Sequence, residues 1–359
     1  MNIVVLATAS RQAGALTIYK QFLAHLDAEQ KNDMYYVFIH PSMPQPQMKG
    51  VNYILIDTSS FKDRMRFDFG GCKKEMKKRG IRADVIISLQ NTGIYHAPAP
   101  QLIYYHQSLP LYSNKWNPFK RTELSMFCYK HIYPLFVKWT FNSRTQYVTQ
   151  IPFIQDGVCR MMKIDKTRVH VLFPDIERVD VDNVTPYEWG DNCSHFVYPA
   201  NMAKYKNYDV LVDAFALLAD KTHYKLHLTI SKEEYPELHQ RIVDLGLQNI
   251  VCLDGMMPHG KILSMYKSAT ALLFPSTIET LGLPLLEAGA FGLPIIAADL
   301  DYAHQVMGDY EGLRYVDAYD AKAWADAITR QAKKIERYTP IQNKKSSWPL
   351  FFDLVRNMV

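Results

Sequence analysis

Short apolar runs recur along this chain, and between them apolar positions return every three or four residues. Runs of strand length lie at 3–7, 35–39, 53–56, 85–89, 102–105 and 146–149 in the first half. A second set lies at 195–199, 226–230, 250–253, 271–274 and 294–298. Helix-period segments at 16–26, 210–218, 261–266 and 322–332 fall between them. This alternation is the pattern of βα units laid over a parallel sheet. Two successive sets predict two doubly wound α/β domains, over 1–175 and 190–340, each taking ligand at the carboxyl ends of its strands. The polar, acidic stretch 174–192, with Pro174 and Pro186, reads as the linker. Residues 347–359 form an amphipathic helix candidate that closes the second domain or folds back onto the first. No internal repeat stands out.

Length agrees with two domains, because 359 residues exceed one ordinary core at roughly 150 residues per domain. Hydrophobic residues at 48% and charged residues at 21% exclude wholesale disorder. The net charge of +5 is mild for this size. It fits a phosphate-bearing ligand or an anionic membrane surface better than extended nucleic acid. Five scattered cysteines without a C-x-x-C pair make neither a disulfide framework nor a zinc knuckle, which points to a reducing cytosol. The first residues lack the basic region and long apolar run of a signal peptide. No apolar stretch is long enough for a membrane span. The expectation is a cytoplasmic protein, touching a membrane from the inner face if at all.

Residues 271–299, ALLFPSTIETLGLPLLEAGAFGLPIIAAD, carry the chemistry. A buried strand ends at Pro275-Ser276, a loop follows with Glu279, Leu281, Gly282 and Leu283, and Pro284 sits well for the first turn of a helix. That helix start faces the carboxyl edge of the sheet, where free N–H groups and the helix dipole attract a phosphate. Gly282 lets the backbone approach an anion. Glu279 and Glu287 are acceptors for sugar hydroxyls on either side of that phosphate. A carboxylate cannot itself hold a phosphate, so the pair points to a polyhydroxylated group attached to one.

With its flanking F-P-S, G-L-P and A-x-G-x-P elements, the E-x7-E pair of Glu279 and Glu287 resembles the donor signature of retaining GT-B glycosyltransferases of family 4. Residues 195–218, HFVYPANMAKYKNYDVLVDAFALL, resemble the first strand and helix of that family's donor domain. The resemblance places Lys206 on the donor diphosphate and puts Asn201 where the family often has an arginine. Residues 253–266, LDGMMPHGKILSMY, look like the loop beside the nucleotide base, with Gly255 and Met256 nearest. Residues 88–108, SLQNTGIYHAPAPQLIYYHQS, match a strand–loop–strand whose histidine, here His106, lies near the reacting sugar. Gly14, in ASRQAGA after the first strand, stands where the family has a glycine-rich turn.

The resemblance implies a hexosyltransferase-type enzyme with an acceptor domain, then a donor domain, and a cleft between them. A nucleotide-diphosphate sugar would be the co-substrate and a glycan or lipid-linked sugar the acceptor, in bacterial surface polysaccharide synthesis. Glu279 would orient the donor sugar, Glu287 the ribose and His106 a sugar or acceptor hydroxyl. Asp180-Val181-Asp182 and Asp299-Leu300-Asp301 match a metal-gripping D-x-D triplet. Lys206 and the helix dipole can neutralise a diphosphate without one, so neither metal nor other cofactor is expected. Two rivals remain: a glycoside hydrolase using Glu279 and Glu287 as its carboxyl pair, and a non-catalytic partner that binds a sugar nucleotide. Residues 115–144 interleave aromatic and basic residues and read as a membrane-lying surface or as a core helix with basic flanks. The basic run at 73–82 is a solvated helix face or adds attraction to anionic lipid.

Overall fold

Parallel strand pairing organises both halves of the chain. The computed structural model describes residues 1–11, 13–28, 32–176, 179–334, 336–341 and 345–359. They divide into two compact units, Met1–Asp175 with Lys345–Val359, and Ile176–Lys344.

The first unit is built on strands β1 (Asn2–Leu6), β2 (Met34–Ile39), β3 (Val51–Leu55), β4 (Val85–Ser88), β5 (Gln101–Tyr104), β6 (Thr145–Thr149) and β7 (Val169–Val171). Their order in the sheet is β3-β2-β1-β4-β5-β6-β7, and the pairs are parallel throughout. Parallel neighbours need crossovers, and here helices supply them. They are α1 (Ala13–Ala28), α2 (Phe61–Arg66) running through a π turn into α3 (Cys72–Lys78), α4 (Arg121–His131), α5 (Tyr133–Trp139) and α6 (Pro152–Met162). Helices on both faces bury the central strands, so β4 and β5 are buried at every position, including Ser88 and Gln101.

The second unit holds β8 (Ser194–Tyr198), β9 (Tyr224–Leu228), β10 (Val251–Leu253), β11 (Ala271–Phe274), β12 (Ile295–Ala298) and β13 (Leu313–Val316). Its sheet order is β10-β9-β8-β11-β12-β13. The helices are α7 (Tyr208–Ala216), α8 (Pro236–Asp244), α9 (His259–Ser268), α10 (Leu283–Ala290), α11 (Asp301–Met307) and α12 (Ala321–Ala332). In each sheet the winding reverses once, between β1 and β4 and between β8 and β11. The loops leaving such a pair run in opposite directions and open a crevice at the carboxyl edge, where doubly wound folds take ligand.

The final helix, Trp348–Arg356, belongs to the first unit and packs on α1. Its Trp348, Phe351, Phe352 and Val355 are buried in one cluster with Tyr19, Phe22 and Leu26. The Phe22 and Phe352 rings lie 5.6 Å apart, and the Trp348 indole N–H donates to Gln21 Oε1 at 3.2 Å. On the opposite face of the sheet Phe38, Phe67, Cys72 and Met76 form a second cluster.

The sequence pattern finds the edge strands β3 and β10 but misses the opposite edges, β7 and β13. β7 is three residues long, and β13 carries Arg314 and is only partly buried, so neither makes an apolar run. From Ile176 onward the segment read as a linker belongs to the second unit. Trp189 donates its indole N–H to Ser268 O at 3.2 Å, and Tyr187 N–H donates to Ser268 Oγ at 3.1 Å. Residues 115–144 are neither wholly core nor wholly surface. Trp116, Met126 and Val137 are buried, while Phe119, Leu124, Tyr129, Ile132, Leu135 and Trp139 are exposed. No described helix is long and apolar enough to cross a membrane.

Truncating a buried ring removes its transfer energy and leaves a cavity, at a cost of about 3–5 kcal/mol. Phe352→Ala should therefore lower the urea midpoint of the first unit's unfolding transition by that equivalent. A loss below about 1 kcal/mol would show that the final helix is not part of this core.

Candidate functional site

The loops leaving β8 and β11 meet at the reversal point of the second sheet. Lys206 ends a short 3-10 turn, Lys204–Lys206. The next residue, Asn207, takes a left-handed conformation at φ 57° and donates its side-chain amide to Ala318 O at 2.6 Å. Tyr205 O accepts both the backbone N–H of Thr277, at 2.8 Å, and its hydroxyl, at 3.0 Å. The Tyr198 hydroxyl donates to Lys206 O at 2.9 Å, and burial pushes its pKa well up, so it stays a donor. These bonds fix the two loops against each other. They bring Lys206 Nζ within 2.6 Å of Glu279 Oε1, with the side chains only 12% and 13% exposed. Sequence reasoning gave these residues separate partners, and the structure pairs them.

Beyond Glu279 the chain turns at Gly282, which caps α10 at φ 67° and ψ 54°. A Cβ there would stand 3.2 Å from Leu285 Cδ1 and 3.4 Å from the Phe274 ring. Leu281 is buried and Leu283 partly so. At the start of α10 the Leu283 N–H has no carbonyl partner within the helix, Pro284 has no N–H, and the Leu285 N–H donates back to Gly282 O at 2.9 Å. One turn further, Glu287 is held by two residues of α9 that lie two turns apart on one face. His259 Nε2 lies 3.1 Å from its Oε1, and the Tyr266 hydroxyl donates to its Oε2 at 3.5 Å. Burial first, and then the Glu287 charge, push the Tyr266 pKa well up. The loop before α9 holds Gly255, left-handed at φ 71°, its N–H donating to Ile230 O at 3.1 Å. Met256 beside it is 88% exposed. Asn201 is exposed, and its backbone carbonyl accepts from the Tyr208 hydroxyl at 3.1 Å.

The reversal point of the first sheet opens a cavity of about 300 Å³ lined by Ser10, Arg64, Gln90, Asn91, His106 and Tyr133, among others. His106 follows β5, and its backbone N–H donates to Asn91 Oδ1 at 2.6 Å. Asn91 is itself left-handed at φ 67°. Nδ1 of His106 is buried with no hydrogen-bond partner among the described residues. Burial, helped by the Arg64 charge, pushes the ring's pKa down to about 4, so it is neutral near pH 7. Arg64 is anchored by Asp68 through Nε at 2.9 Å and by Thr92 Oγ1 at 2.7 Å. Asp68 also accepts from Gln90 at 3.1 Å and Thr92 at 2.7 Å. Burial raises its pKa against the pull of Arg64.

Of the residues singled out from sequence, Gly14 and His106 lie in the first unit. Gly14 is in the first turn of α1, with open space where a Cβ would go. The others lie in the second unit, on the loops after β8, β10 and β11 and on α10. The D-x-D triplets engage locally: Asp299 Oδ1 lies 2.6 Å from His304 Nε2, and Asp180 accepts from Asn183 at 2.6 Å. Sequence reasoning missed the Arg64–Asp68 network, whose i,i+4 spacing looks like any helical ion pair. His259 and Tyr266 stood unremarked inside the 253–266 stretch, although both sit on α9.

Two doubly wound parallel units of this order, each with polar groups gathered at its reversal point, define the GT-B fold class. Residues 187–346 match the family model described as Glycosyl transferases group 1. The chain is 23% identical over 218 residues to the O-antigen chain mannosyltransferase RfbU of Salmonella typhimurium, covering 60% of this chain and 59% of that one. It is 34% identical over 101 residues to a D-inositol 3-phosphate glycosyltransferase of Acidothermus cellulolyticus, covering 28% of this chain and 22% of the relative. The match thus spans about three fifths of the first relative's length and about a fifth of the second's. Among solved structures, WaaG, a glycosyltransferase involved in lipopolysaccharide biosynthesis, superposes with TM-score 0.66 at 12% identity, over 100% of this chain and 94% of that one. Anabaena HepE in complex with UDP and glucose gives TM-score 0.61 at 15% identity, over 92% and 91%.

The left-handed turn at Gly282 yields the prediction for this unit. A Cβ at that φ costs about 1–2 kcal/mol, and Leu285 must also give way. Gly282→Ala should lower the thermal midpoint of the second unit accordingly, measured by circular dichroism. An unchanged midpoint would mean that the turn relaxes freely.

Proposed function

We propose that this protein is a retaining hexosyltransferase of glycosyltransferase family 4. It moves a sugar from a nucleotide-diphosphate sugar to a glycan or lipid-linked acceptor in bacterial surface polysaccharide assembly. One observation carries the reading: the Lys206–Glu279 pair, 2.6 Å long, stands at the reversal point of the second sheet beside the start of α10. The family match over 187–346 covers the same residues, and the UDP and glucose bound to Anabaena HepE support a nucleotide-sugar donor.

On this reading Glu279 neutralises Lys206 until the donor arrives. The diphosphate then takes the ammonium and the amides around Leu281–Leu283, which stabilise the leaving group as charge builds on it. Glu279 turns to the donor sugar. Glu287, steadied by His259 and Tyr266, accepts from the ribose hydroxyls, with Gly255 and Met256 beside the base and Asn201 near the phosphates. In the first unit neutral His106 offers an uncharged imidazole to a sugar or acceptor hydroxyl. The acceptor oxygen attacks the anomeric carbon from the face the phosphate leaves. The bond to phosphate breaks, and the phosphate oxygen takes the acceptor's proton. Lys206 and the α10 dipole supply the charge a metal would otherwise supply, so the transfer needs no divalent ion.

The two glutamates separate in kinetics. Glu287→Gln removes binding felt equally in ground and transition states and should raise donor KM. Glu279→Gln removes an interaction that strengthens as the sugar gains positive charge and should lower kcat. At about 1.5–3 kcal/mol for a hydrogen bond to a charged group, each effect should be roughly 10- to 150-fold, in turnover that persists under excess chelator. A folded Glu279→Gln enzyme with kcat within about twofold of wild type defeats the assignment. Glycan cleavage indifferent to nucleotide would favour the hydrolase.

The exposed Phe119, Ile132, Leu135 and Trp139, interleaved with Lys120, Arg121, Lys130 and Lys138, support peripheral attachment to the anionic inner face of the cytoplasmic membrane. The protein should co-sediment with anionic vesicles more than with neutral ones, and salt should release it. Equal failure with both would leave the surface as a solvated helix face.

A further inference from the structure

On one face of the second sheet, away from the Lys206–Glu279 pair, four polar side chains form an unbroken chain of contacts. Asp191 Oδ1 lies 2.9 Å from His195 Nε2. His195 Nδ1 lies 3.0 Å from His227 Nε2, and His227 Nδ1 lies 2.9 Å from Asp254 Oδ2. Trp189 covers the inner end, its ring stacked at 4.1 Å and 8° on His195. Cys252 joins the outer end. It pairs with His227 across β10 and β9, and Asp254 follows two residues later on the same side. The ligand atoms of His227, Cys252 and Asp254 all lie within 4.8 Å of one another.

Ionised carboxylates only accept. With one N–H on each ring, both turned to the end carboxylates, the inner nitrogens would meet at 3.0 Å as bare lone pairs. One added cation completes the chain, either a proton on a ring or a metal ion at the outer end. With His227 Nδ1 ligating a metal, Nε2–H donates to His195 Nδ1, and His195 Nε2–H donates to Asp191. The two inner contacts then each have one hydrogen, and the metal replaces the direct contact between His227 and Asp254. Ligating histidines are commonly oriented by such outer carboxylate support.

The geometry points to a site for a zinc-class divalent ion formed by His227 Nδ1, Cys252 Sγ and an Asp254 oxygen, with His195 and Asp191 as positioning residues behind His227. One thiolate, one imidazole and one carboxylate suit Zn²⁺ and Co²⁺. Tetrahedral coordination spaces such ligands about 3.3–3.6 Å apart, a small outward shift for Asp254. Binding displaces the Cys252 thiol proton to solvent. β10 is the edge strand of its sheet, so the ion would clip that edge to β9. The proposed transfer reaction uses none of these side chains, and Asp254 directly precedes Gly255, which that reading sets beside the base.

Cobalt titration of the full, tag-free, chelator-stripped chain tests it. We expect one equivalent of Co²⁺ to give visible d–d bands and a near-ultraviolet thiolate-to-metal band, both bleached by Zn²⁺. Cys252→Ser should abolish the thiolate band, whereas Cys193→Ser should retain it. His195→Asn should keep the band but weaken affinity roughly 10- to 100-fold, with circular dichroism confirming the fold of each variant. Absence of a thiolate band in the folded wild type, or its survival in Cys252→Ser, overturns the site. Unchanged affinity in His195→Asn overturns the positioning role.

Discussion

Strand direction is the constraint from which the rest of this molecule follows. Because every neighbouring pair is parallel, all strands of a sheet finish at one edge, and every return must be made by a crossover. The crossovers cover both faces and exclude water from the middle strands. Polar loops therefore collect at the carboxyl edge, and only where the winding reverses do two of them leave a gap. The polar groups around Lys206 and around His106 sit in such gaps. In the second unit the gap holds a cation, a carboxylate and a helix start. In the first it holds a neutral histidine and an arginine tethered by a buried aspartate.

The tether has its own logic. Asp68 has three side-chain partners, Arg64, Gln90 and Thr92. Arg64 also reaches the Gln90 carbonyl at 3.0 Å, so the cation arrives at the cavity already bonded. Its charge lowers the proton affinity of His106, and burial does so more strongly. The histidine can thus offer a lone pair or an N–H across the neutral range without becoming an imidazolium. A buried network this fully bonded specifies one arrangement of the π turn and the loop after β4.

Interior strands were legible in the sequence because burial on both faces demands continuous apolar runs, as in Ala271–Phe274 and Ile295–Ala298. The edge strands β7 and β13 were not, since β13 needs apolar residues on only part of its length and β7 is too short to make a run, whereas the edge strands β3 and β10 did make runs. At the second reversal point Gly282, Pro284 and the two glutamates stood out because a turn, a helix start and two carboxylates occur together within a few residues. The pairing of Lys206 with Glu279 did not, because the partners are far apart in sequence and meet only through Thr277 and Tyr205. Arg64 and His106 were separated in the same way, and their shared cavity exists only once β1, β4 and β5 are aligned.

The final helix gives the chain an unusual order of completion. Trp348, Phe351, Phe352 and Val355 fill the core beside α1, yet they leave the ribosome after the whole of the second unit. The second unit is in effect an insertion within the first, so it can reach its finished state while its host still waits for a missing piece. Until residues 348–355 emerge, Tyr19, Phe22 and Leu26 lack that cover. The nascent first unit presents an open apolar face during translation, the kind of surface that chaperones bind.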